Sequence, residues 1–300
     1  MFRIADYKVQ SINENPQDLI PDNVKHIGAT KLWEEGYRGE GIVVGILDTG
    51  VCTTHPSLKN NLLKGKNFTN EGTEDNFEDL NGHGTNVSSI VCGCPDGVNA
   101  GIYGVAPNSK FLMGKVLKGN GDGEIQWIVN GLKWLIEENV DIINLSVGSN
   151  EYSKEIDDLI ELATDKDILC CVACANDGDG NCETNEVSYP AYLNNSISVG
   201  AIDLNDKITN FSNSNDEIDC VAPGYNIVGA YLNNKFATTS GSSQSAPHVA
   251  AFLALLKQKF RVEKKRNPTE MELYAQLIKH CKDLGLDYRF QGEGGIRYEG

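Results

Sequence analysis

Basic side chains are scarce: 26 Lys and Arg stand against 42 Asp and Glu in 300 residues, a formal charge of -16. A field of that sign repels phosphate backbones and anionic lipid surfaces, so neither nucleic acid nor membrane is expected as a partner. Long apolar runs are missing too. Val249 to Leu256 is as long as any, at eight residues, well short of the ~20 that a membrane-spanning helix needs. No secretory apolar stretch follows the first charges of MFRIADYKVQ, and a cytoplasmic location is expected. Cysteine is present without the pattern of bridges or metal sites. The nine are an odd number, and neither the Cys92 and Cys94 pair nor the Cys171 and Cys174 pair has a second Cys or His pair at ligand spacing. Cys170, Cys171 and Cys174 crowd one apolar segment and read as small buried hydrophobes in a reducing compartment.

What is there suffices for one sizeable core, with 40% hydrophobic and 23% charged residues. Residues 1–23 are polar, carry Pro16 and Pro21, and read as an extension. Residues 24–282 form the domain, and 283–300 a Gly-rich C-terminal tail expected to be mobile from Gln291. Buried strands are expected at Ile42 to Leu47, Phe111 to Leu117, Val140 to Val147, Ile168 to Ala175 and Ser196 to Ile202. Ile125, Ile128, Val129, Leu132, Leu135 and Ile136 repeat with the helical period, as do Ile156, Leu159, Ile160 and Ala163. Two more helices are expected over Ser243 to Phe260 and Thr269 to Lys282. Strand and helix in alternation predict an α/β fold, a doubly wound and mainly parallel sheet with helices on both faces.

Functional groups in such sheets gather beyond the carboxyl ends of the strands. Asp48 stands there, in Asp48-Thr49-Gly50, where an acid also simply starts a turn. In Asn81-Gly82-His83-Gly84-Thr85 two glycines allow close backbone approach and His83 opens a helix, with a side chain suited to proton transfer near neutrality. Ser243 begins the helix that continues into the apolar run, either as a cap or as a nucleophile favoured by the helix dipole. Asn176 ends another buried strand, as a turn residue or as a donor to a developing oxyanion.

Taken together, Leu47-Asp48-Thr49-Gly50, Gly82-His83-Gly84-Thr85, Ala175-Asn176-Asp177-Gly178 and Gly241-Ser242-Ser243 resemble the subtilisin-like serine proteases (peptidase S8 type), in the order Asp, His, Ser. The resemblance runs from about Val24 to Leu277 and is nearest to the intracellular subtilisins. It implies a serine endopeptidase with an Asp48-His83-Ser243 triad and Asn176 in the oxyanion hole. It also implies that Gly121, Asp122 and Gly123 on one side, and Ser146, Val147 and Gly148 on the other, pair with an extended substrate. Ile125 would line the pocket for the fourth residue before the cut, while Asp177 and Glu186 would lie near the pocket for the residue before it. The partner is then a protein or peptide. No cofactor is required for the chemistry, and the metal assignment stays open.

The sequence departs from the family at Ser242 for Thr, Ala175 for Gly, Asn86 for His and Gln244 for Met. Without that thioether, peroxide sensitivity is expected to be lower. Ser57 stands where relatives supply a calcium-binding Asp, and the loop from Cys92 to Ala100 differs from theirs, so structural calcium is left undecided. A broad intracellular protease is the favoured reading; a dedicated processing protease for a peptide precursor and an inactive binding protein on the same fold remain alternatives. An α/β-hydrolase esterase is set aside, because position 245 is Ser and the histidines after Ser243 lack the matching acid. Intracellular relatives carry an inhibitory extension with a Leu-Ile-Pro-Tyr motif. Here Arg3-Ile4-Ala5-Asp6-Tyr7 keeps the Tyr and loses the Pro. The extension is therefore expected to lie in the substrate groove and to be self-cleaved between about residues 4 and 20.

Overall fold

A computed structural model describes residues 1–4, 7–16 and 19–300. In the extension, β1 (Phe2–Arg3) and β2 (Lys8–Asn13) precede the short helices α1 (Asp22–His26) and α2 (Ala29–Glu34). The first half of the domain holds β3 (Val43–Asp48), β4 (Leu62–Asn67), α3 (His83–Cys92), β5 (Lys110–Lys115), β6 (Asp122–Gly123) and α4 (Ile125–Glu137). It continues through β7 (Ile142–Leu145), α5 (Lys154–Thr164), β8 (Leu169–Ala173), β9 (Ser196–Ile202), β10 (Cys220–Pro223), β11 (Ile227–Ala230) and β12 (Phe236–Ser240). The chain ends with α6 (Ser242–Lys264), α7 (Glu270–Lys279), β13 (Cys281–Lys282), α8 (Tyr288–Gln291) and β14 (Gly295–Ile296).

Nine strands form one sheet in the order β13-β14-β10-β9-β8-β7-β3-β5-β4, parallel except for β13 against β14. The alternation along β3 shows why both faces are covered. Val44 and Ile46 belong to the core shared with α3 and α6, while Leu47 belongs to the core shared with α4 and α5. Gly45 points the same way as Leu47, and a Cβ there would sit 2.7 Å from the Leu135 methyl of α4. Both predicted apolar stripes face inward, Ile125 alone being half-buried. The three crowded cysteines are buried and unbridged, and burial raises the thiols of Cys170 and Cys174 to about 12 and about 11. Among the described residues no helix is long and apolar enough to cross a membrane.

The C-terminal segment corrects its expectation. Rather than a mobile tail, it adds β14 beside β10, buries Ile296 and Tyr298, and bonds Tyr298 N–H to Ile27 C=O at 2.9 Å. Glycine composition suggested mobility, but backbone pairing with the sheet edge and two buried side chains hold the segment.

Helix α6 is buried without interruption from Ser242 to Gln258. Inside it, His248 Nδ1–H donates to Gln244 C=O (2.7 Å) and Nε2 accepts from the Asn23 amide (2.7 Å), which fixes the neutral ring. Burial lowers its pKa to about 4. A depressed histidine contributes stability that is complete above its unfolded pKa of about 6.5 and is lost as pH falls toward about 4. Buried Asp219, raised to about 6, acts in the opposite sense in the same window. Denaturant unfolding of wild type and His248→Gln at pH 7 and pH 5 separates the two. Relative to the variant, the wild type should lose about 2 kcal/mol over that interval, as this shift requires; parallel pH dependences would refute the assignment.

Candidate active site

Asp48 closes β3 at the carboxyl edge of the sheet, fully buried. Its Oδ1 accepts from His83 Nδ1–H at 2.8 Å and from Thr49 N–H at 2.7 Å. That tautomer leaves the lone pair of His83 on Nε2, which has no hydrogen-bond partner among the described residues. Close approach of the two segments requires small residues. A Cβ on Gly84 would lie 2.2 Å from Gly50 C=O, and Gly82, at φ 101°, abuts the Tyr231 ring.

A second buried carboxylate organises this corner. Asp79 Oδ1 accepts from the Thr49 hydroxyl and from the N–H groups of Asn81 and Gly82, all at 2.9 Å. Its Oδ2 accepts from Thr85 N–H (2.9 Å) and the Thr85 hydroxyl (2.6 Å). Thr49 Oγ1 in turn accepts from Gly84 N–H at 2.9 Å. One carboxylate thus ties the turn after Asp48 to the loop that carries His83.

Ser243 lies in the first turn of α6, whose helical ladder is interrupted by Pro247. Proline has no N–H to give the carbonyl four residues earlier, which is that of Ser243. The Ser146 hydroxyl supplies the bond instead, at 2.9 Å, and the Ser243 hydroxyl donates back to Ser146 C=O at 3.3 Å. The nucleophile candidate is therefore turned onto Ser146 and away from His83 Nε2.

Asn176 Oδ1 accepts from Ser242 N–H at 2.7 Å, and its Nδ2 lies 3.0 Å from where a Cβ on Gly241 would stand. Ala175 holds φ 84°, a left-handed conformation that costs an L side chain roughly 1–2 kcal/mol and that a glycine would take freely. Two other departures meet each other. Gln244 Nε2 donates to Asn86 Oδ1 at 3.4 Å, and Thr239 donates to the same oxygen at 3.1 Å.

The groove beside Ser243 holds the chain's own N-terminus. Phe2 and Arg3 pair antiparallel with Gly123 and Asp122, Arg3 exchanges both backbone bonds with Gly148 (3.0 and 3.1 Å), and Ile4 N–H donates to Gly121 C=O at 3.1 Å. Phe2 is buried in the cluster that includes Val147, against which Ile125 packs. Tyr7 sets its ring edge-on to His83, centroids 4.7 Å apart, and donates to Asn81 Oδ1 at 3.1 Å. Ala5 and Asp6, where the motif loses its proline, lie outside the described residues.

Beside Arg3 a cleft of about 360 Å³ is lined by Asp122, Gly148, Ala175, Asp177 and Ser188. Glu186 is not among the residues that line it. Its carboxylate accepts from Ser214 N–H at 2.9 Å. Ser57 accepts Ile102 N–H at 3.1 Å. In the 92–100 loop, Asp96 accepts from the N–H groups of Asn99 (2.8 Å) and Val98 (2.9 Å) and pairs with Lys59 at 2.7 Å, contacts that hold its carboxyl well below the usual range. These oxygens already serve protein donors, one of them an ammonium, so the residues here do not suit a calcium ion. Among the described residues no group of three or more His, Cys, Asp and Glu gathers as metal ligands.

Asp79 was not singled out by sequence reasoning, and the contact of Tyr7 with His83 was not foreseen. Asp79 carried a signal, an acid four positions before His83 within a glycine-bearing loop; the edge-on contact of Tyr7 with His83 carried none.

Residues 39–292 match the Peptidase S8 profile, the Subtilase family. The chain is 39% identical over 294 residues to the major intracellular serine protease of Bacillus subtilis, covering 97% of this chain and 90% of that protein. To the intracellular serine protease of Paenibacillus polymyxa it is 42% identical over 287 residues, 95% and 86% of the two chains. Subtilisin E of Bacillus subtilis is 32% identical over 240 residues, 80% and 61%.

Asp79→Asn would set an amide N–H₂ among donors. If Asp79 positions the two segments, kcat should fall at least ~10-fold with KM nearly unchanged, as expected when reacting groups are displaced by fractions of an ångström. Steady-state kinetics on a peptide substrate reads this; an unaltered kcat, or a change in KM alone, removes the positioning role.

Proposed function

The chain belongs to the subtilase family and is a subtilisin-like serine endopeptidase, and from that premise we propose that Asp48, His83 and Ser243 are its catalytic triad, with Asn176 in the oxyanion hole. The observation that carries this reading is the buried Asp48–His83 bond at the sheet's carboxyl edge, at the head of a helix, α3, that packs against α6. The Ser243 hydroxyl rotates from Ser146 C=O to His83 Nε2, gives up its proton there, and Oγ attacks the substrate carbonyl carbon. Asn176 Nδ2 and the Ser243 N–H donate to the oxyanion. Collapse breaks the C–N bond, the His83 proton leaves with the amine, and water repeats the cycle on the acyl-enzyme. Asp48 keeps the Nδ1–H tautomer and stabilises the imidazolium. No step calls for a cofactor.

Gly121, Asp122, Gly123, Ser146, Val147 and Gly148 are the substrate-pairing segments of this proposal, Ile125 borders the pocket that Phe2 fills, and Asp177 borders the cleft for the residue before the cut. Pairing through backbone favours broad use over dedicated processing. A place inside the cell is supported by the names of two relatives. Residues 1–23 are proposed to inhibit, because Phe2 to Ile4 fill the groove and Tyr7 covers His83.

A fluorophosphonate probe tests the nucleophile. It should label the trimmed wild type at Ser243 and fail on Ser243→Ala, whose peptide hydrolysis should drop to background; undiminished hydrolysis would end the mechanism, and no labelling of a folded, trimmed wild type would favour a binding protein. Intact-mass analysis of the same samples should show loss of the first residues, between about 4 and 20, in wild type alone.

The cleft supplies a further expectation. Asp177 in a protein of charge -16 should favour Lys or Arg over Glu before the cut, most at low salt. Cleavage profiling of Asp177→Asn should show that preference reduced; an identical profile would exclude Asp177 as its source.

A further inference from the structure

A lysine is buried almost as deeply as the proposed triad. Lys115 ends β5 at 1% exposure, as the register partner of Asp48 at the end of β3. Phe111 and Met113 of the same strand belong to the core shared with α3 and α6, and the two-residue alternation carries Lys115 onto that face. An ammonium so far from water is tolerated only where carbonyl and carboxylate oxygens replace its hydration.

The two oxygens that do so belong to different parts of the site. Lys115 Nζ donates to Thr49 C=O at 2.8 Å, in the turn directly after Asp48, and pairs with Glu71 Oε2 at 3.3 Å. That same Glu71 oxygen accepts Gly119 N–H at 2.9 Å, while Gly119 C=O accepts from the Asn81 amide at 2.9 Å. Gly119 leads into β6, the groove wall on which Phe2 and Arg3 lie. From one ammonium, then, a path runs through Thr49 to the Asp48 carboxylate, and another through Glu71 to the wall. Asp79 holds the turn after Asp48 against the head of α3; Lys115 holds it against the groove. Charge points the same way. Asp48 and Asp79 are buried carboxylates beside His83 and Tyr7, half-buried Glu71 adds a further one, and Lys115 brings positive charge among them.

We infer that Lys115 is a positioning residue of the reaction: it joins the turn that carries Asp48 to the groove wall at 119–123, so that base and substrate keep one register, and its charge offsets the carboxylates of this corner. The inference rests on the triad proposed above. Lys115 acts through Thr49 and Glu71 rather than on the reacting atoms.

Lys115→Met keeps the length of the side chain and removes the charge. Glu71→Gln removes the opposite charge and keeps an oxygen for Gly119 N–H. Wild type, both variants and the double variant are compared after a trace of wild type has trimmed all of them to the same intact mass. With Lys115→Met, kcat should fall at least ~10-fold and KM rise at least ~3-fold, because turn and wall lose their shared anchor. A cation disfavours protonation of a nearby base and an anion favours it, so the acid limb of kcat/KM should move up by about half a pH unit in Lys115→Met and down, by less, in Glu71→Gln. Losses in the double variant should be smaller than the product of the single ones, as for a contacting pair. A lysine that served stability alone would not shift the limb in opposite directions. Unaltered kcat and KM in Lys115→Met, shifts of one sign, or multiplicative losses would overturn the inference. If Lys115→Met does not fold, Glu71→Gln decides, and an unmoved acid limb there is equally fatal. A second readout needs no catalysis. In the Ser243→Ala chain, adding Lys115→Met should quicken hydrogen exchange at Thr49 and Gly119 about 10-fold and leave α5 unaffected; unchanged exchange at both amides would overturn the coupling. A wild type without hydrolytic activity would instead overturn the preceding reading, and the exchange result would then decide this one.

Discussion

The bond from the Ser146 hydroxyl to the Ser243 carbonyl exists because Pro247 has no N–H to offer. An unmet carbonyl this deep would cost on the order of 1–3 kcal/mol, and Ser146, just past the end of β7, meets it. The first turn of the buried helix is thereby fixed to the segment that forms one wall of the groove. The proposed nucleophile and the proposed substrate wall are thereby tied to each other by two hydrogen bonds. Asp79 performs the matching task on the other side, joining the turn after β3 to the head of α3. The two halves of the site are thus braced separately, and α6 packing against α3 holds them together.

This arrangement gives the Ser243 hydroxyl a partner other than His83. Ser243 donates to Ser146 C=O, while His83 Nε2 has no hydrogen-bond partner among the described residues. Tyr7, meanwhile, rests against the imidazole, and burial pushes its hydroxyl to remain protonated as a donor to Asn81. The extension therefore packs on His83 and pairs with the segments at Gly123 and Gly148 together.

The large elements were legible because burial writes itself into sequence as periodicity. The run from Val43 to Leu47 and the Ile128, Leu132, Leu135 stripe could face only inward. The four motifs were legible because each needs particular residue types at a strand end or helix start. Less visible were features in which two distant residues meet. Asn86 and Gln244 are separate departures in sequence, yet form one hydrogen bond beside the triad. Glu186 has the charge for a basic substrate, yet its carboxylate accepts from the backbone N–H of Ser214, a partner 28 positions away in sequence. β2, β12 and β14 were missed for a related reason. β2 is exposed and polar and β14 short and Gly-flanked, while β12 alternates too little for its length; all are defined by pairing, which leaves almost no trace in composition.

The groove and the edge of β12, on which β2 lies antiparallel, are occupied by one chain but are emptied by different events. Suppose the extension is cut between Ile4 and Tyr7. The groove half then becomes a short peptide free to diffuse away, while β2 stays covalently joined to the domain through the residues before α1. A tethered strand has an effective concentration in the millimolar range or above, so it rebinds its edge whenever that edge opens. Until water releases the acyl group from Ser243, the proposed nucleophile, the new amine at the start of this strand stays near it and can re-form the bond just broken, since each proposed step is reversible. Opening the groove and opening the edge are therefore separable, and lasting release requires that β2 be lost as well.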